Sequence, residues 1–259
     1  MLSRRAATIA LLITTAAILV ALPFLPRIPQ PLSYHEFADQ RAWLGIANFG
    51  DVASNLPFAI VGVWGLFFLA SNSPRRRFIE SREQWPYWFI FLGMLATAFG
   101  SAYYHLSPSN ARLTWDRLPM VIVFMPLVAA MIMERLNVTW GLRLLPILLV
   151  VGTASVFQWH LSELRGQGDL RFYAAVQLYS VIALLLLVFA PPRYTRNSDL
   201  YWVIAFYVLA KVLESADRLI FAASHAASGH TMKHLAAGAA GYFVLRMLQK
   251  REPLRAGTA

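Results

Sequence analysis

Apolar stretches of about 18 to 20 residues recur along this chain, and each is long enough to cross about 30 Å of hydrocarbon. The first covers residues 6–25. Seven more cover 52–70, 85–104, 118–134, 142–159, 172–190, 200–222 and 231–248. No repeat, low-complexity tract or soluble domain separates them. The pattern predicts an all-α, polytopic membrane protein: a seven-transmembrane-helix bundle over residues 31–259, preceded in 1–30 by an amino-terminal transmembrane helix or signal anchor. Arg4 and Arg5 ahead of an apolar core would also suit a cleaved signal sequence. The core is long for one, however, and Leu22-Pro23-Phe24-Leu25-Pro26 offers no small-x-small site, so a retained helix is the expectation.

Composition agrees with the pattern. The chain is 58% hydrophobic and 14% charged, with a mean hydropathy of +0.52, whereas a soluble domain is about 45–50% apolar and about 25% charged. Cysteine is absent, which excludes disulfides, thiolate metal sites and cysteine nucleophiles and leaves histidine and carboxylate as ligands for any transition metal. The formal net charge of +10 does not point to nucleic acid, because the basic residues collect in short loops beside apolar spans.

Those loops also predict an orientation. Arg4 and Arg5, Arg75 to Arg77 with Arg82, Arg135 and Arg143, Arg193 and Arg196, and Lys250, Arg251 and Arg255 fall on one side, which the positive-inside rule makes cytoplasmic together with the carboxyl terminus. Residues 27–50, 105–115, 161–171 and 223–230 fall on the other side, expected to be periplasmic or lumenal.

The candidate chemistry gathers on that outer side. In SAYYH, Ser101 and His105 are four residues apart on one helical face. Asp116 follows in TWDRLPM, expected in the first turn of the next helix. HTMKH opens the last helix, where His230 and His234 at i and i+4 aim two imidazoles at one point. A lone histidine near a helix end is more often hydrogen-bonded or interfacial than a ligand. Three imidazoles at matching depth, with a carboxylate, are a different matter. They can hold zinc at about 2.0–2.1 Å and leave a fourth position for water, the pattern of a catalytic site.

Four segments, NFGDVASNLPF, GSAYYH, TWDRLPM and HTMKHLAAGAAGY, spread in order from Asn48 to Tyr242, resemble the alkaline ceramidase family, part of a superfamily of seven-helix membrane hydrolases that includes the adiponectin and progestin receptors. The resemblance implies a zinc-dependent intramembrane amide hydrolase acting on ceramide or another long-chain lipid amide. It implies His105, His230 and His234 as zinc ligands, Asp116 as the group that activates water, and Ser101 as an oxyanion stabiliser. It also implies a calcium site, for which Glu36, Asp39, Asn48 and Asp51 offer the oxygen donors calcium prefers. Asn48 stands where the family has a glutamate, and Tyr34-His35 replaces its Asp-Trp, so a solvated loop with an Asp39–Arg41 turn is an equal expectation. Two rivals remain open: a lipid esterase or different amidase of the same superfamily, and a receptor-like or transport protein with a structural zinc.

Other polar residues are expected to be structural. Lys211, Glu214, Asp217 and Arg218 interrupt the span 200–222, with Glu214 and Arg218 spaced to pair at i, i+4. His35, His160, Glu163 and His225 are expected as solvated loop residues, and the Trp and Tyr residues at span ends as interfacial belts.

Overall fold

The computed structural model describes residues 2–71 and 77–254, and the described residues are helical, with no strand. The helices are α1 (Arg4–Ala21), α2 (Phe49–Ala53), α3 (Leu56–Ala70), α4 (Trp85–Leu106), α5 (Asn110–Arg135), α6 (Val138–Leu164), α7 (Arg171–Val188), α8 (Ser198–Ser215), α9 (Asp217–Ser224) and α10 (Gly229–Lys250). Six segments are long and apolar enough to cross a membrane: Arg4–Phe24, Phe49–Ala70, Ser81–Leu106, Asn110–Arg135, Val138–Leu164 and Arg171–Val188. The two remaining long helices fall outside that set for reasons visible in their side chains. Asp199, Lys211 and Glu214 interrupt α8, and His230, Lys233, His234, Arg246 and Lys250 lie along α10.

Local sequence explains most boundaries. Ser109 accepts a hydrogen bond from the Arg112 amide and starts α5 at Asn110, well before the expected 118. Asp116 therefore lies in the second turn and caps nothing. Asn137 and Ser228 cap α6 and α10 in the same way. The expected span 200–222 is two helices, because the chain breaks at Ala216 and restarts at Asp217. The break separates Glu214 from Arg218. Glu214 pairs instead with Lys211 at 2.7 Å and Lys233 at 2.6 Å, and Arg218 reaches Glu36 at 3.3 Å.

In the bundle α4 lies between α3 and α5, α5 also packs on α6 and α7, and α10 packs on α8 and α3. Helix α1 rests chiefly on α7, where Thr15 approaches Tyr179 at 3.4 Å, and the Leu2 amide donates to the Phe189 carbonyl at 2.9 Å. Gly100 permits the close approach of α4 and α5, since a Cβ there would stand 2.1 Å from the Trp115 carbonyl oxygen.

The connections sort to two ends. At one, Leu170 donates to Ile28, Arg27 to Gln167, Arg41 to the His225 carbonyl and Asn110 to Glu163, joining the four loops expected to be on the outer side. At the other end, Arg77, Arg135, Arg193 and Arg251 are tied down rather than solvated; Arg75, Arg76 and Arg255 lie outside the described residues. Arg251, 0% exposed, pairs with Glu134 and donates to the Arg77 carbonyl at 3.0 Å. Its guanidinium sits over the rings of Phe78, Tyr87 and Tyr194. Tyr87 donates to the same Glu134 oxygen at 2.5 Å.

Removing one member of this pair strands a buried charge, so Glu134→Ala is expected to cost about 3–5 kcal/mol. Replacing both together, as Glu134→Leu with Arg251→Met, should recover most of that loss. Thermal unfolding of the three proteins in one detergent checks both outcomes.

Candidate metal centre

His105 lies in the last turn of α4, and His230 and His234 lie in the first two turns of α10. They are 1%, 5% and 5% exposed, and one ligand atom from each falls within 4.8 Å of the other two. The three ring centroids form a nearly equilateral triangle with sides of 4.8, 5.0 and 5.0 Å. Among the described residues this is the group of histidines and carboxylates that could hold a metal ion.

The hydrogen bonding fits an ion. His105 Nε2 stands 3.3 Å from His230 Nε2, and two ligands of one tetrahedral ion at about 2.0–2.1 Å stand about 3.3–3.4 Å apart. The His105 Nδ1 is buried with no hydrogen-bond partner. Among the described residues, the one polar contact of that ring is with the neighbouring imidazole of His230. The His234 Nδ1 lies 2.8 Å from the Ser54 hydroxyl, which leaves its Nε2 for a ligand role and orients the ring, as outer groups do at metal sites.

Asp51 supports the same corner from below. Its carboxylate accepts from Thr231 at 2.7 Å, and its carbonyl from Ser54 at 3.2 Å and Asn55 at 2.7 Å. Asn48 donates to the His105 carbonyl at 2.8 Å. Asp217, freed by the break at Ala216, accepts from the His230 amide at 2.7 Å and the Ala38 amide at 3.0 Å. Gly229 allows α10 to begin against that break, because a Cβ there would meet the Leu213 carbonyl oxygen at 2.1 Å.

Ser101 and Asp116 are brought together as the spacing suggested. Ser101 lies close to the Asp116 carboxylate, and both line, with His234, a cavity of about 690 Å³ that runs between α4, α5, α7, α8 and α10. Its walls are mainly apolar, with Met94, Phe124, Leu127 and Val203 among them, and Lys211, Glu214 and Lys233 join the polar end.

Of the expected calcium ligands, Asp39 and Asp51 lie near enough to interact electrostatically, and one Asp51 carboxylate oxygen is buried with no hydrogen-bond partner. Asp39 is committed to Arg41, with contacts of 2.8 Å to each of its oxygens, and the guanidinium hydrogen bonds hold its carboxyl below the usual carboxylate range. Glu36 turns outward to Arg218, Asn48 serves the His105 carbonyl, and Asp51 serves Thr231. The expected Asp39–Arg41 contact is present, but Asp39, Asn48 and Asp51 are buried rather than solvated.

Three of the other polar residues are not solvated. His35 bridges the Tyr104 hydroxyl and Asn110 at 2.8 Å each, His160 meets Thr114 at 2.9 Å, and Glu163 accepts from Trp159 at 3.0 Å and Asn110 at 3.1 Å. The residues missed by sequence reading are Ser54, Asp217 and Phe37. Ser54 sits within the quoted NFGDVASNLPF segment, a small hydroxyl next to a helix break, while nothing local marks Phe37.

Comparison with protein-family models and with curated proteins finds no match.

Each of His105→Ala, His230→Ala and His234→Ala is expected to abolish stoichiometric metal uptake. Ser54→Ala, which only frees the His234 ring, should weaken affinity by about 10–100-fold. Metal content by mass spectrometry after equilibrium dialysis gives both results, and full occupancy of all three histidine variants would remove the site.

Proposed function

We propose that the protein is a seven-helix membrane hydrolase that cleaves the amide bond of a long-chain lipid at the His105–His230–His234 centre, ceramide being the favoured substrate. The observation that carries this reading is that one member of the histidine triad, His234, lines an otherwise apolar cavity together with Asp116 and Ser101. A volume of about 690 Å³ suits a ligand of lipid size. Leu185 of α7, Val208 and Val212 of α8 and Leu219 of α9 line it while remaining exposed on the outer surface of the bundle, so an acyl chain has a lateral way in from the bilayer.

In this reading α8 and α10 complete the bundle despite their charges, which pair inside it, as Lys233 does with Glu214 and Arg246 with Asp199. The arginine-rich end is cytoplasmic and the histidine end faces outward.

Zinc held by the three neutral imidazoles supplies Lewis acidity and allows a water to ionise near neutral pH. The chain's own groups handle the rest. Asp116 takes the proton from the attacking water and returns it to the departing amine. Ser101, which in the resting site lies close to Asp116, is free to donate to the oxyanion on the carbonyl once Asp116 carries the proton. The apolar walls exclude bulk water, which strengthens both interactions.

Asp116→Asn keeps the side chain's shape and cannot accept the proton. It should leave metal content and unfolding temperature unchanged and lower turnover of labelled ceramide by at least about 100-fold, with little change in KM. Metal retention with no lipid turnover by the native protein would favour a structural ion in a receptor-like or transport protein.

Orientation is checked separately. A reporter fused after Lys250 should read cytoplasmic, and a tag between Leu106 and Arg112 should be reached from outside; the reverse pattern overturns the assigned topology.

A further inference from the structure

The metal centre has a second neighbour besides the apolar cavity. A recess of about 390 Å³ opens on the outer end of the bundle, lined by Glu36, Phe37, Ala38, Gln40, Arg218 and Phe221. Its rim is polar and wet, since the Glu36 and Arg218 side chains are 63% and 72% exposed. Its inner wall is the ring of Phe37. That ring is 6% exposed and stands 4.6 Å from the His105 ring and 4.5 Å from the His230 ring, centroid to centroid. The Phe37 side chain therefore lies between the lining of the recess and two of the three imidazoles.

The two approaches to the centre differ in what they admit. A divalent cation or a water molecule crossing the apolar cavity gives up hydration to walls that return almost none of it, which is costly for a neutral polar group and far more so for an ion. Through the recess, hydration is kept until the last few ångströms. Phe37 also lies in irregular chain, between the short turn Leu32–His35 and the Trp43–Ile46 bridge. The backbone on either side is fastened. His35 is held by Tyr104 and Asn110, the Ala38 amide by Asp217, and Arg41 by the His225 and Ala226 carbonyls at 3.0 and 2.7 Å. With anchors at positions 35 and 38, motion of the ring about its own side-chain bonds can open the way while the loop stays docked.

We propose that the centre is served by two separate routes, the apolar cavity for lipid and the outer recess for water and the metal ion, and that Phe37 is the side-chain gate on the aqueous route. The proposal rests on metal binding at the three histidines and not on any particular lipid reaction. Phe37 packs against the two ligand rings at a tilt and offers no donor atom, so it controls how fast an ion arrives and leaves without setting how tightly it is held.

That distinction gives the test. Zinc uptake by the metal-free full-length protein in detergent, and zinc release to excess EDTA, are each followed for the native protein, Phe37→Ala and Phe37→Trp. A gate predicts that Phe37→Ala speeds uptake and release together, by about tenfold or more, with the zinc Kd unchanged, and that Phe37→Trp slows both. A ring that merely braces the histidines predicts faster release alone and a weaker Kd, and that outcome overturns the gate. Rates equal in all three proteins overturn it too. Leu185→Trp, which narrows the lateral opening, serves as the companion variant: slower zinc exchange in it, with no response to Phe37, would assign the ion to the lipid route. Absence of stoichiometric zinc in the native protein would remove the metal reading itself, a failure separate from that of the gate.

Discussion

Three imidazoles from two helices far apart in sequence have to meet, unprotonated, in a place with almost no water. That requirement organises one whole end of the bundle. Neutral imidazole carries a donor and an acceptor, and burying it unpaired is costly. Ser54 takes one nitrogen of His234, Asp51 holds Ser54 and Thr231, and Asn48 takes up the His105 carbonyl. Asp217 then fixes the first turn of α10 from outside. The short helix α2, the break at Ala216 and the close start of α10 at Gly229 are the backbone adjustments that bring those groups into range.

The opposite end solves a different problem with similar means. Arginines that hydropathy alone would leave in water are folded inward onto Glu134, Glu83, Asn197 and main-chain carbonyls. Arg251 lies among three aromatic rings, whose faces favour a cation. The molecule is thus tied at both ends by buried polar contacts, with the apolar cavity between them.

How much of this could be read beforehand follows from the range of the interactions. Helix-length apolar runs are local, and they located every long helix to within a few residues except where a cap or break intervened, at Ser109 and Ala216. The histidine pair in HTMKH is local too, and counting spans was enough to bring it level with His105. The pairing of Glu214 with Lys233, of Arg218 with Glu36 and of Asp217 with the His230 amide was beyond such reasoning, because each is chosen by how α8, α9, α10 and the amino-terminal loop come to lie against one another. Phe37 is the extreme case: an ordinary aromatic in an irregular segment, placed over two histidines nearly 70 and 200 residues away by anchors that are themselves long-range.

The division of ligands between α4 and α10 bears on biosynthesis. His105 is made before the midpoint of the chain, and His230 and His234 belong to its last helix. A nascent chain cannot own a complete centre until nearly all of it has left the ribosome. The final helix is also poorly suited to lipid by itself, since its charges find partners on α8, in Glu214 and Asp199. On the proposed reading it enters against helices already in place, and capture of an ion at the three histidines would be the closing clasp of assembly, made last and only by chains whose earlier helices are correctly arranged.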